Sequence, residues 1–177
     1  MSRSRTIPLE KKLGYHDLPT GPGGRKLCRW CKTEVPPPKL TFCGEACVHE
    51  WRLRSDPNYM RQKVLERDRG VCAHCGLDCV LLSAVVHDHW LPPQGWRRWD
   101  EKPAERQYHP LREVIRAWVV ELGGKLHGAY WQADHIVPVV EGGGECGLEN
   151  LRTLCVWCHK RETKELARRR AAARKAE

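Results

Sequence analysis

Residues Trp131–Lys164, WQADHIVPVVEGGGECGLENLRTLCVWCHKRETK, decide the reading of this chain. Residues 131 to 140 are rich in Trp, Ile and Val, side chains that suit a pleated, half-buried surface, so a strand is expected there. Gly142, Gly143 and Gly144 permit the sharp reversal that must follow. Leu148, Leu151 and Leu154 then supply apolar anchors at helix-like spacing, and Cys155 and Cys158 form a knuckle that opens into a helix expected over His159 to Ala173. The expected order is strand, strand, helix, with Asp134, His135, Asn150 and His159 in one short segment.

Those residue types suit one chemistry. Hydrolysing a phosphodiester requires an activated water, and a neutral imidazole such as His135 can take its proton. A carboxylate and an imidazole, here Asp134 and His159, can hold a hard divalent ion that stabilises charge on phosphorus and the leaving oxygen. Successive strand residues point to opposite faces, so neighbouring Asp134 and His135 can serve different tasks. The plainer alternative is a zinc-stapled hairpin whose His and Asp are surface residues.

DHIVP at 134–138, LENL at 148–151 and CVWCHK at 155–160, taken together, resemble the HNH endonuclease motif of the ββα-metal, or His-Me finger, nucleases. The resemblance implies an α+β fold with a small zinc-stapled HNH core. It implies His135 as general base, Asp134 and His159 as ligands of a catalytic Mg2+ or Mn2+, and Asn150 as the brace of the loop. The implied products are a 5′-phosphate and a 3′-hydroxyl. Many members carry a Lys three places after the last His; this chain has Glu162 there, flanked by Lys160, Arg161 and Lys164.

Composition points to the same substrate class. The chain has 177 residues, a net charge of +9 and a pI of about 9.2, which fits one to two small domains with a polyanionic partner, nucleic acid by default. Duplex or branched DNA is the expected partner, and no membrane is. No apolar run approaches the roughly 20 residues that cross a bilayer, and MSRSRTIPLEKK lacks the apolar core of a secretory signal. An intracellular, reducing compartment is therefore expected, cytoplasmic or nucleoid-associated in a bacterium and nuclear in a eukaryote. Ten cysteines in such a compartment argue for metal, since eight of them fall in closely spaced pairs.

Cys28, Cys31, Cys43 and Cys47 make a first quartet suited to one tetrahedral structural zinc, with Trp30 and Phe42 expected to pack over it. Its second pair is expected to start a helix through Val48, Trp51 and Leu53, giving a treble-clef-like knuckle. Ser55-Asp56-Pro57 signals another helix, with Met60, Val64 and Leu65 on one face. Cys72 and Cys75 find their partners in Cys155 and Cys158, so a second structural zinc would clamp the domain entrance to the catalytic helix. Cys79 and Cys146 are left over, as buried thiols or alternate ligands.

The expected domains are a flexible basic arm over 1–24, a four-cysteine zinc knuckle over 25–56 and the HNH nuclease domain over 57–177. The last contains an inserted helical segment over 76–130 and a basic helical tail over 160–177. Arg3, Arg5, Lys11 and Lys12 of the arm could touch phosphate. Within the insertion, His87-Asp88-His89 is a potential rival metal cluster, but no Gly loop, Asn and CxxCH follow it at the right spacing. Trp96 and Trp99 interleaved with Arg97, Arg98 and Arg106 could stack on unpaired bases or form a packed core. Leu111 to Leu122 reads as an amphipathic helix.

Lys160, Arg161, Lys164, Arg168, Arg169 and Arg170 supply an expected electrostatic hold on DNA. From about residue 28 onward the layout also resembles the HNH module of annealing helicases that act as structure-specific endonucleases, which implies a preference for branched or forked DNA. Two alternatives stay open, a zinc-dependent DNA-binding adaptor without turnover and an HNH RNase.

Overall fold

The computed structural model describes residues 13–87 and 111–176. The expectations placed on Arg3, Arg5, Lys11 and Lys12, on Asp88 and His89, and on Trp96, Arg97, Arg98, Trp99 and Arg106 lie outside the described residues. The chain divides into two compact units, Met1–Lys63 with Val137–Asn150, and Val64–Ile136 with Leu151–Glu177.

In the first unit, residues 13–24 carry turns; Leu18 is buried, and Lys26 Nζ donates to the carbonyls of His16 and Leu18. The Cys28 N–H donates to the Thr33 carbonyl and the Lys32 N–H returns to the Cys28 carbonyl, closing the first knuckle. Helix α1, Glu45–Ser55, follows the second Cys pair, with Phe42 against Trp51 at 5.5 Å between rings and the Arg54 guanidinium over Trp30. Helix α2, Pro57–Asp68, starts where Asp56 Oδ1 accepts the N–H groups of Asn58 and Tyr59. Those donors have no partner inside the helix, and Pro57 at its first position has no N–H to satisfy. Arg54 Nε donates to the Glu145 carbonyl at 2.8 Å, tying residues 137–150 to α1.

The second unit holds the sheet. Strand β1, Trp131–His135, pairs antiparallel with β2, Leu151–Cys155, in a register that sets Trp131 opposite Cys155, Asp134 opposite Arg152 and His135 opposite Leu151. Helices α3, Cys79–His87, α4, Arg112–Glu121, and α5, Val156–Ala176, complete it. Its core gathers Cys72, Cys79, Leu82, Val86, Val119, Tyr130, Leu154, Cys155 and Cys158. The described parts of the inserted segment thus build core around the second quartet. Arg116 Nη1 donates to the Val86 carbonyl and Trp157 Nε1 to the Leu122 carbonyl, which fastens α4 to its neighbours.

The strand expected through Val140 stops at His135. Both polar groups of Val137 are taken by the Asn150 side chain, Pro138 has no N–H for a ladder, and Val139–Glu141 winds into a 3-10 turn closed by Gly142 at φ +93°. Of the three leucines at helix-like spacing, Leu148 lies in a 3-10 turn while Leu151 and Leu154 are strand residues buried in β2. Helix α5 begins at Val156, inside the knuckle, earlier than the His159 start expected from the sequence. The fold is α+β, as expected. Among the described residues no helix is long and apolar enough to cross a membrane.

Candidate active site and cysteine quartets

The register of the hairpin sets the site. Asp134 on β1 faces Arg152 on β2, and its Oδ2 accepts from Arg152 Nε at 3.0 Å and lies 3.0 Å from Nη2. Its other oxygen, Oδ1, lies 3.9 Å from Nε2 of His159, which α5 presents one residue after Cys158. Two donors each about 2.1 Å from one ion can be at most about 4.2 Å apart, so this carboxylate and imidazole fit a shared divalent ion. His135 ends β1, half-buried, in the next register position after Asp134.

Further side chains surround Arg152 that spacing alone did not single out. Its Nη1 donates to His74 Nε2 at 2.8 Å, and its Nη2 reaches Glu162 Oε2 at 3.3 Å. His74 Nδ1 in turn lies 3.6 Å from Glu162 Oε1. His74 sits between Cys72 and Cys75, Arg152 on β2 and Glu162 on α5, so three distant pieces of sequence meet at one guanidinium. The only signal for this in the sequence was the hairpin itself, since an antiparallel pairing of 135 with 151 puts 152 opposite 134.

Asn150 acts within the other unit. Its Oδ1 accepts the Val137 N–H, and its Nδ2 donates to the carbonyls of Val137 and Gly143 at 3.1 and 3.0 Å. It therefore closes the loop that leaves β1.

The sulfurs of Cys28, Cys31, Cys43 and Cys47 converge within 4.8 Å of one another, as do those of Cys72, Cys75, Cys155 and Cys158. Four thiolates on one zinc stand about 3.8 Å apart, so both sets fit a closed structural site. Among the described residues these are the clusters of three or more metal-ligating groups. The Thr33 hydrogen bond pulls the Cys31 thiol down to about 6. Burial pushes the Cys72 thiol up, but backbone N–H groups around it outweigh that and bring it down to about 6. Cys47, which shares a hydrogen bond with Cys43, and the buried Cys158 are pushed far up. A divalent cation binding all four sulfurs of a set as thiolates would remove their competition for protons. Cys79 is fully buried and pushed up to about 12, while Cys146 is partly exposed.

Residues 123–165 match the family model described as HNH endonuclease, a span that contains Asp134, His135, Asn150, His159 and the second half of the Cys72 quartet. Over 168 residues the chain is 36% identical to the DNA annealing helicase and endonuclease ZRANB3 of Mus musculus, an alignment covering 86% of this chain. The chain carries an HNH endonuclease family domain at residues 123–165. The Homo sapiens ZRANB3 is 37% identical to this HNH chain over 141 residues, covering 76% of it. The alignments take in 14% of the mouse protein and 12% of the human one, so the HNH chain spans about one-seventh of these relatives' length or less. The crystal structure of the human ZRANB3 HNH domain shares 36% identity, with 68% of this chain and 97% of that chain covered and a TM-score of 0.41.

The remaining sites expected for this HNH protein fall on α5. Lys160, Arg161, Lys164, Arg168, Arg169 and Arg170 are all exposed there, with Arg161 Nη2 3.5 Å from Cys158 Sγ and Arg168 paired to Glu165 at 3.2 Å. Within the rival cluster, His87 instead hydrogen-bonds the Gly128 carbonyl at 3.0 Å and stacks on Tyr130.

Proposed function

We propose that this chain is a metal-dependent DNA endonuclease that hydrolyses phosphodiester bonds and nicks one strand per active site. The observation that carries the proposal is the approach of Asp134 Oδ1 to His159 Nε2 at 3.9 Å, with His135 adjacent on the same strand. Asp134 and His159 would hold a divalent ion, Mg2+ or Mn2+, which would supply Lewis-acid chemistry at the scissile phosphate. His135 accepts the proton of the attacking water. The water oxygen bonds to phosphorus, the bond from phosphorus to the 3′ oxygen breaks, and that oxygen takes up a proton, leaving a 5′-phosphate and a 3′-hydroxyl. Asn150 holds the loop that follows His135. The two Cys quartets take structural zinc and keep β2 and the knuckles in place.

Lys160, Arg161, Lys164, Arg168, Arg169 and Arg170 grip the DNA backbone, with Arg97 and Arg98 adding contacts from the inserted segment. A net charge of +9 supports this, since each neutralised phosphate releases counterions. The relatives' description as DNA annealing helicase and endonuclease supports DNA as the substrate, and a preference for branched or forked forms is the finer reading.

Supercoiled, linear, single-stranded, forked and flap DNA, and RNA of the same sequence, tested with and without Mg2+, decide between readings. Mg2+-dependent nicking, fastest on forks, is expected. Tight binding without cleavage would instead make the chain an adaptor, and cleavage of RNA alone would make it an RNase.

A further inference from the structure

The Arg152 guanidinium is engaged on three sides by Asp134, Glu162 and His74, and every one of these groups is in the same compact unit. Its side chain is 20% exposed and that of Asp134 18%, so neither is a freely rotating surface group. With Nε and Nη2 both on Oδ2 of Asp134, one carboxylate oxygen is committed to the guanidinium and the other is left directed at His159. An Arg fork imposes orientation on a carboxylate as well as charge, which a lysine ammonium cannot do.

We propose that Arg152 is a positioning residue for the ion site, one that makes Asp134 a single-oxygen ligand and, through His74, ties that ligand to the cysteine knuckle. This inference rests on the reading of Asp134 and His159 as ion ligands. Arg152 is assigned no contact with substrate or ion; it acts through Asp134. Glu162 shares Nη2 with Asp134 while His74 holds Nη1, and His74 is itself fixed in sequence between Cys72 and Cys75. Groups that orient a metal ligand in this way change affinity for the ion by about ten- to a hundredfold when removed. A one-oxygen carboxylate also suits Mg2+, with its strict octahedral demand, better than Ca2+, which readily takes both oxygens.

The test is direct Mn2+ binding to the zinc-loaded chain, read by electron paramagnetic resonance, with magnesium-dependent nicking measured in parallel. Arg152→Lys keeps the charge and loses the fork; Arg152→Gln loses both. The expected result is that both variants weaken Mn2+ binding at least about tenfold and that raised Mn2+ partly restores their cleavage. His74→Ala should shift binding the same way by less. Unchanged affinity in Arg152→Lys together with tighter binding in Arg152→Gln would overturn the inference, because Arg152 would then be only a charge competing with the ion. If the Arg152 variants lose zinc or melt early, Glu162→Gln on α5 carries the test, with weakened Mn2+ binding expected and unchanged binding overturning the proposal. Asp134→Asn separates the two levels. Normal Mn2+ binding in that variant would sink the ion-site reading itself, whereas abolished binding with a silent Arg152→Lys would sink only the role of Arg152.

Discussion

The side chain of Asn150 holds both polar groups of Val137, accepting its N–H at 2.8 Å and donating to its carbonyl at 3.1 Å, and so ends the strand that carries Asp134 and His135. A third bond, to the Gly143 carbonyl, closes the glycine turn. Removing one partner of such bonds costs about 1–3 kcal/mol where the group left behind is shielded from water. Asn150→Ala should therefore lower the melting temperature and slow nicking. Asn150→Asp, which keeps the acceptor and loses both donors, should fall between it and the wild type. A melting curve for Asn150→Ala that overlays the wild type would show that the loop holds itself.

Gly143 and Gly144 are neighbours with different constraints. A Cβ on Gly143 would be driven into the backbone carbonyl of Val137 and to 2.8 Å from Asn150 Nδ2, whereas one on Gly144 would meet only a Val139 methyl at 3.3 Å. Backbone cannot step aside as a methyl can. Gly143→Ala should cost more than about 2 kcal/mol by denaturant titration, and Gly144→Ala less than about 1. Equal costs would mean that the turn re-forms around either side chain.

How far the sequence disclosed this molecule depends on the kind of signal. The Cys quartets were legible because a tetrahedral metal demands four ligands in close pairs, and both sets converge. The order strand, strand, helix was legible from composition and glycine placement. The end of β1 was not, because Val137 and Val139 favour a strand while Asn150, thirteen residues after Val137, withdraws the groups that a strand would use. The roles of Leu151 and Leu154 were obscured because a buried strand with both faces covered has no alternation to read. His74 left no trace in spacing, and Glu162 stood out only as the residue three places after His159 where many HNH members carry a Lys; that both meet Arg152 arises only through the fold.

Asp68 makes stability depend on pH. Burial pushes its carboxyl up, but Arg67 at 2.6 Å and the Thr153 N–H at 2.9 Å outweigh that and hold it below the usual carboxylate range. Its folded value is therefore lower than its unfolded one, so the unfolded chain binds more protons as the solution is acidified. The stabilisation is fully present above the ordinary value of about 4 and is lost as pH falls through the depressed one. Asp68→Asn should melt below the wild type at pH 7, and the gap should narrow below about pH 4. A gap of constant size from pH 7 to pH 3 would assign the effect to packing rather than charge.

Zinc content tests the quartets. Two tightly held zinc ions per chain are expected, and Cys155→Ser should lose one of them. Structural zinc in small domains supplies about 10–16 kcal/mol, as much as or more than the whole stability of about 5–15 kcal/mol of a typical domain. The unit containing β2 and α5 should therefore unfold in that variant, seen as lost helical ellipticity. Normal melting with one zinc missing would show that the second quartet is not structural.

The most direct test of the central claim is the nicking of supercoiled DNA by His135→Ala, with Mn2+ binding and DNA affinity measured on the same preparation. The expected result is unchanged fold, ion binding and DNA affinity with turnover reduced about a hundredfold to ten-thousandfold, the usual loss on removing a positioned general base. Asp134→Ala and His159→Ala should lose ion binding along with turnover. Wild-type nicking by His135→Ala would contradict the assignment, as no other residue is given the task of taking the proton from water.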